Sequence, residues 1–428
     1  MKKFLYTLIF IIIIGFGIYY VYINYFGNLI PKIDVEEELA NVDEYYIYGN
    51  HLNIKGNLKI TDINYKDISF VLYNGEEKSF EVNDEKEGTS INFNSSNYIN
   101  EGMYIDNLDK GTYYLFLKLT YDNKDDKENP ICKYYVLKNN TDYKEVSYYT
   151  LSKYNNKIII NSDEEYGTFM FNVGENNDNE VYDVTIDPGH GGLDSGALYN
   201  NYKESDFTMN ISLILKGYLK EKGLKVKLTH DKDDIPKDKT MEEYGEHGRA
   251  VIPNEVKSKY TFSIHINKNT VSSVRGIEIY TPDKINYDFA KDIVNTIVNN
   301  TEFGYSTNKM FKITDGIYTH NFTESEVNSS LGEYNKKGYK PFDVSTKSNY
   351  YYMIRETGGY LTGAYVDDRN SSKVGINPYY NSNMGNESYL LELGYLSNTG
   401  DFSILKKNEE RLAKLIGDSI VKEIGIES

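Results

Sequence analysis

The 428-residue chain has no tryptophan and one cysteine, Cys132. One cysteine cannot close an internal disulfide, and it excludes four-cysteine zinc sites and CxxC redox chemistry. A lone cysteine is most often a small core residue. An excess of positive charge is missing as well: the formal net charge is −17. Nucleic-acid binding needs a basic face, so a nucleic-acid partner is not expected. Histidine is scarce, with six in all. Tyrosine is not: 43 Tyr and 18 Phe supply large apolar areas for a core. Length allows two or three domains.

The first residues set an expectation for location. Lys2 and Lys3 precede an uncharged run from Phe4 to Phe26. As a helix this run reaches roughly 35 Å, enough for a hydrocarbon core of about 30 Å. It ends in Asn24-Tyr25-Phe26-Gly27 without a small-residue cleavage site. The expectation is an uncleaved single-pass anchor at residues 1–31, with all that follows on the extracytoplasmic side of the cell membrane. A cleaved signal peptide is the competing reading, and either exports the body.

Residues 32–45 are polar and acidic and read as a linker. From 46 to 173, short alternating runs such as Ser69-Phe70-Val71-Leu72-Tyr73 are split by Asn, Asp and Gly, which predicts a small all-β domain. No catalytic cluster is visible there; its expected role is spacer or wall contact. From 181 to 428, strand-like runs alternate with amphipathic helical segments. Val181–Ile186 reads as a strand. Phe207, Ile211, Leu215 and Leu219 recur at helical spacing. Tyr260–Asn267 and Tyr389–Leu396 read as further strands. The pattern predicts an α/β domain with a mostly parallel sheet flanked by helices. Functional loops then lie at the carboxyl ends of the strands. Residues 302–388 interrupt the pattern as a long Tyr-, Asn- and Gly-rich insertion.

Two histidines stand where a metal site needs them. His190 follows a strand end in a glycine-rich loop, and His265 shares one strand face with Ser263 and Asn267. Glu204 opens the helix between them. Two imidazoles and a carboxylate are a common catalytic zinc set with a position left for water, and iron(II) also accepts such ligands. Glu392 lies inside Leu390-Leu391-Glu392-Leu393, where an unused carboxylate is costly. Its apolar neighbours raise its pKa, as a general base or acid near neutrality requires. His230 and His247 remain as alternative ligands; His51 and His320 read as surface residues. Singly, each site residue has an ordinary structural explanation.

The segments together resemble a known family. Thr185-Ile186-Asp187-Pro188-Gly189-His190-Gly191-Gly192-Leu193-Asp194-Ser195-Gly196 is similar to the opening signature of the zinc-dependent N-acetylmuramoyl-L-alanine amidases of the Amidase_3 type. Tyr202-Lys203-Glu204-Ser205-Asp206-Phe207, Phe262-Ser263-Ile264-His265-Ile266-Asn267 and Leu391-Glu392-Leu393-Gly394-Tyr395 resemble its later segments, in order. The resemblance covers residues 181–301 and 389–425. It implies Zn2+ held by His190, Glu204 and His265, with Glu392 as the catalytic carboxylate. The implied substrate is peptidoglycan, cut between N-acetylmuramic acid and L-alanine. Departures are His230 where the family has an arginine, Pro253 in the helix before the His265 strand, and the long insertion. That insertion also admits an autoinhibited, wall-binding reading in which Glu324, Glu326 or Glu333 plugs the site. A zinc peptidase cutting stem peptides is the third reading.

Overall fold

The computed structural model describes residues 33–164, 166–232, 248–329, 345–358 and 383–426, with two short strands at 366–367 and 375–376. Alternation governs the first half of the described chain. In Gly111–Tyr121, Tyr113, Leu115, Leu117 and Leu119 are buried on one face. They join Phe70, Leu72, Ile91, Phe93, Ile158 and Phe171 in a single apolar cluster. The strands from Ala40–Tyr48 to Phe169–Glu175 are mostly antiparallel and belong to one thirteen-stranded network. Its last member, Met384–Gly385, comes from far along the chain and lies parallel to Ala40–Tyr48. The Ala40–Tyr48 strand begins inside the stretch read as a linker.

The second half is built on a seven-stranded sheet. From edge to edge it runs Val226–Leu228, Val184–Pro188, Tyr260–Asn267, Glu387–Tyr395, Ile277–Tyr280, Ile317–Tyr318 and Lys312–Thr314. The first four strands are mutually parallel, while Ile277–Tyr280 runs antiparallel to Glu387–Tyr395. The sheet is thus mixed, with a parallel centre. The central strands read as continuous apolar runs because both of their faces are covered. Phe262, Ile264, Ile266, Leu391 and Leu393 meet helices Glu204–Glu221, Asp288–Asn300 and Thr399–Ile424 in one core. In the first helix Phe207, Ile211, Leu215 and Leu219 are buried at four-residue intervals. Such burial contributes about 1.5–3 kcal/mol per large side chain. The opposite sheet face is partly covered by the insertion. Its helix Tyr352–Thr357 brings Ile354 against Tyr280, Tyr318 and Leu390.

The β-rich region seats against the amino-terminal ends of the parallel strands. Asn50 donates to the Tyr260 hydroxyl at 3.3 Å, and Asn100 reaches Glu387 at 3.2 Å. The backbone N–H of Ser152 donates to Asp183 at 2.6 Å, and Lys153 donates to the Ile424 carbonyl at 2.6 Å. The carboxyl ends of the strands, where chemistry is expected, therefore point away from it.

The expectation of a single-pass membrane protein is corrected: no helix among the described residues is long and apolar enough to cross a membrane. The Phe4–Phe26 run on which that expectation rested lies outside the described residues.

Candidate metal centre

Strand Val184–Pro188 delivers the chain directly into the loop that carries His190. His190 itself has φ +68°, a left-handed conformation rare for a residue with a Cβ. Two glycines make room around it. A Cβ at Gly189 would lie 2.5 Å from His265 Cε1 and 2.6 Å from the Ile264 carbonyl. One at Gly196, where φ is +61°, would lie 2.6 Å from both Glu204 Oε2 and His190 Cδ2. The Gly-rich signature is thus a packing requirement: side chains from three segments meet where a Cβ on either glycine would clash.

Those side chains are His190, Glu204 and His265. Glu204 Oε1 is 3.2 Å from His190 Nε2 and 3.1 Å from His265 Nδ1. One potential ligand atom from each lies within 4.8 Å of the others. The two imidazoles face edge to plane with centroids 4.9 Å apart. Glu204 stands at the helix start, aimed by the backbone N–H groups of Ala197 at 2.8 Å and Ile266 at 2.9 Å. Asp194 takes His190 Nδ1 at 2.8 Å, which leaves Nε2 for the cluster.

The electrostatics favour a cation. Burial works against protonating His190, but Glu204 and Asp194 outweigh it and raise its pKa to about 9. Burial acts against charge on Glu204 too, and the two histidines overcome it and hold its carboxyl well below the usual range. Two nitrogens and a carboxylate oxygen arranged this way suit a divalent transition metal with open positions.

Glu392 sits beside this group. Its strand pairs in register with the His265 strand, residue 392 opposite residue 265. On its other side it faces Glu278. Burial raises the Glu392 pKa well above the ordinary carboxyl range, and the charges of Glu204 and Glu278 push it the same way. Its Oε2 has no hydrogen-bond partner among the described residues. Buried polar atoms are nearly always paired, so an orphan atom beside a metal-competent group points to a reacting partner.

A family model described as N-acetylmuramoyl-L-alanine amidase, Amidase_3, matches residues 184–422, more than half of the chain. The chain belongs to the Amidase_3 family. Among its relatives is the germination-specific N-acetylmuramoyl-L-alanine amidase of Bacillus subtilis (strain 168), 27% identical over 143 residues. That match takes in 32% of this chain and 59% of the relative. An endolysin of Bacillus phage SPP1 is 36% identical over 98 residues, 23% of this chain and 32% of the relative. The chain therefore spans less than two thirds of either relative's length. The solved catalytic domain of CwlV from Bacillus (Paenibacillus) polymyxa var. colistinus is 22% identical, with a TM-score of 0.37, and covers 58% of this chain and 100% of that one. Cwp6 from Clostridium difficile is 24% identical with a TM-score of 0.38, covering 56% of this chain and 29% of that one.

Within this Amidase_3 chain, the other histidines stand apart. His230 is buried against the Thr229 hydroxyl at 3.1 Å. His247 lies outside the described residues. His320, read as a surface residue, is buried instead, stacked between Phe311 and Tyr350 with centroids 3.6 and 4.3 Å away. His51 is half-buried, and burial lowers its pKa to about 4. Of the three acids considered as a plug, Glu326 is occupied by Thr323 and His320. Glu324 is exposed and Glu333 lies outside the described residues.

Sequence reasoning missed Asp194, although a carboxylate four residues after a loop histidine is a visible cue. It also missed Glu278. The logic that found Glu392 applies equally to Ile277-Glu278-Ile279. Glu278 is fully buried and accepts from Asn267 at 3.0 Å, Tyr280 at 2.9 Å, Ser306 at 2.6 Å and the Tyr395 hydroxyl.

Proposed function

We propose that this chain is a zinc-dependent peptidoglycan hydrolase that cleaves the amide bond between N-acetylmuramic acid and the L-alanine of the stem peptide. The observation that carries the reading is the meeting of His190, Glu204 and His265 beside Glu392, all inside the span matched by the amidase family.

Its donor set of two imidazole nitrogens and one carboxylate oxygen fits Zn2+, with His190, Glu204 and His265 as the residues that would hold it. When bound, zinc supplies Lewis acidity at the scissile carbonyl and lowers the pKa of water. The protein does the rest. Asp194 fixes the His190 tautomer so that Nε2 faces inward. Glu392 accepts a proton from the attacking water as its oxygen bonds to the carbonyl carbon. The C–N bond then breaks, and Glu392 returns the proton to the departing amine. The products are the lactyl carboxylic acid on the sugar and a free amino-terminal L-alanine. On this reading residues 181–428 carry the chemistry, and residues 46–173 form an accessory region at the far end of the sheet.

The test is digestion of purified peptidoglycan. Free amino-terminal L-alanine on intact glycan should accumulate and should vanish with a chelator. Glu392→Gln should keep its zinc and lose about 10²–10⁴-fold in rate, the usual contribution of a positioned acid–base group. Cleavage between stem-peptide residues would instead make it a peptidase, and near-normal turnover in Glu392→Gln would remove the proton role from that residue.

A further inference from the structure

The strained backbone at His190 must be held in place from outside its own loop. Arg249 does this. Its Nη1 donates to the His190 carbonyl at 3.0 Å, and its Nε meets Asp187 Oδ1 at 3.1 Å. Asp187, fully buried, also accepts from Thr229 and from Ser263, each at 2.7 Å. Ser263 lies two residues before His265 on the same strand face. The guanidinium thus grips the His190 segment directly and reaches the His265 strand through Asp187, to which Ser263 donates. The arginine is 2% exposed, so its hydrogen-bond directions are fixed by packing and not by solvent.

Its remaining arm reaches into the insertion. Nη2 donates to the Tyr352 hydroxyl, the first residue of helix Tyr352–Thr357. That helix is seated on the sheet face that carries Glu392, through Ile354 against Leu390 and Tyr280. The insertion thus supplies a hydrogen-bond acceptor to the group that holds the metal loop.

We propose that Tyr352 and Arg249 are positioning residues through which the insertion sets the geometry, and hence the metal affinity, of the His190 loop. The proposal rests on the metal-centre reading above. Neither residue is a ligand and neither is placed against substrate. Their effect passes through the His190 carbonyl and Asp187. Partners that orient metal ligands from outside the ligand set typically change affinity 10–100-fold when removed.

The experiment uses the full chain, loaded with Zn2+ in competition with a chromophoric chelator and with Co2+ as a spectroscopic probe. Tyr352→Phe keeps the ring and its packing and removes only the acceptor. It should weaken zinc binding about tenfold and shift the cobalt absorption bands, while the metal-free chain still unfolds in one cooperative transition, its Tm lowered only by the loss of one hydrogen bond. Arg249→Lys keeps the charge but loses the fork, and should weaken binding by about 100-fold. If Arg249→Lys fails to fold, Tyr352→Phe still decides the matter. A Tyr352→Phe chain with wild-type zinc affinity and an unchanged cobalt spectrum overturns the proposal. A wild-type chain that takes up neither metal overturns the metal-centre reading itself, a result readily told apart from the first.

Discussion

The two ends of the central sheet both bury charge, and they treat it in opposite ways. At the amino-terminal end, beneath the β-rich region, Asp106 accepts from the Tyr148 hydroxyl and from Leu151 N–H at 2.8 Å. Lys259 lies 3.8 Å from the Tyr148 ring centroid and is attracted by Asp106 and Asp183. Glu387 is held by Tyr389 and Asn100. Asp106 and Glu387 are thus each held by hydrogen bonds from their neighbours. At the carboxyl-terminal end, two imidazoles and a carboxylate converge on a common point, and the next carboxylate has an oxygen with no partner among the described residues. Buried charge alone is therefore a poor guide to function in this molecule. A buried carboxylate with an unpaired oxygen beside a metal-competent group is the better one, because leaving such a group unpaired is costly unless a reacting partner completes it.

Disturbing the closed end should cost stability and spare metal binding. Lys259→Met removes the cation that attracts Asp106 and Asp183, which should destabilise the chain by about 1–3 kcal/mol in urea unfolding. Zinc affinity should not change; if it fell in step, the two ends would not be independent. The converse is Gly189→Ala, which drives a methyl group into His265 and the Ile264 carbonyl. A displacement of about 1 Å there should lower turnover roughly 100-fold, measured on purified wall, and the clash with the Ile264 backbone should cost about 1–3 kcal/mol of stability.

The smallest effect concerns pH. Burial raises the Glu387 pKa to about 7, against opposing hydrogen bonds from Tyr389 and Asn100. The folded chain then keeps a proton that the unfolded chain releases from near its ordinary value of 4.5 upward. This contribution is present in full below about pH 4.5 and is lost as pH rises through about 7. Glu387→Gln has no such proton to hold. The fall in unfolding free energy from pH 5 to pH 8 should be smaller in the variant by about 2 kcal/mol. Equal slopes in the two proteins would show that Glu387 is already ionised at pH 5.

Much of the α/β half was legible because buried parallel strands are continuous apolar runs and its helices repeat every four residues. The Tyr260–Asn267 strand matches its expected limits. The β-rich half was legible only in outline. The start of its first strand, Ala40 to Tyr45, falls within the polar, acidic stretch that reads as a linker, and a register shift between Val42 and Glu44 breaks the alternation there. The metal-competent residues were legible as a motif, whereas the groups that hold them were not. Arg249 and Tyr352 are 103 positions apart, and no local pattern marks a contact between a guanidinium and a phenol at that distance. His320 misled in the same way: flanking polar residues suggested the surface, but its ring is sandwiched between two aromatics from distant positions.

Met384–Gly385 pairs with Ala40–Tyr48, and two residues later the chain enters the strand that bears Glu392. The segment leading into the last strand to be synthesised is thus registered against the first described strand. The chain approaching the reactive pocket pairs with a region more than 300 positions earlier, and long-range pairing of this kind slows folding. Expressing the α/β half by itself would remove that template and bare the charges of Glu387, Asp183 and Lys259, so a poorly active fragment would report on assembly before it reported on catalysis.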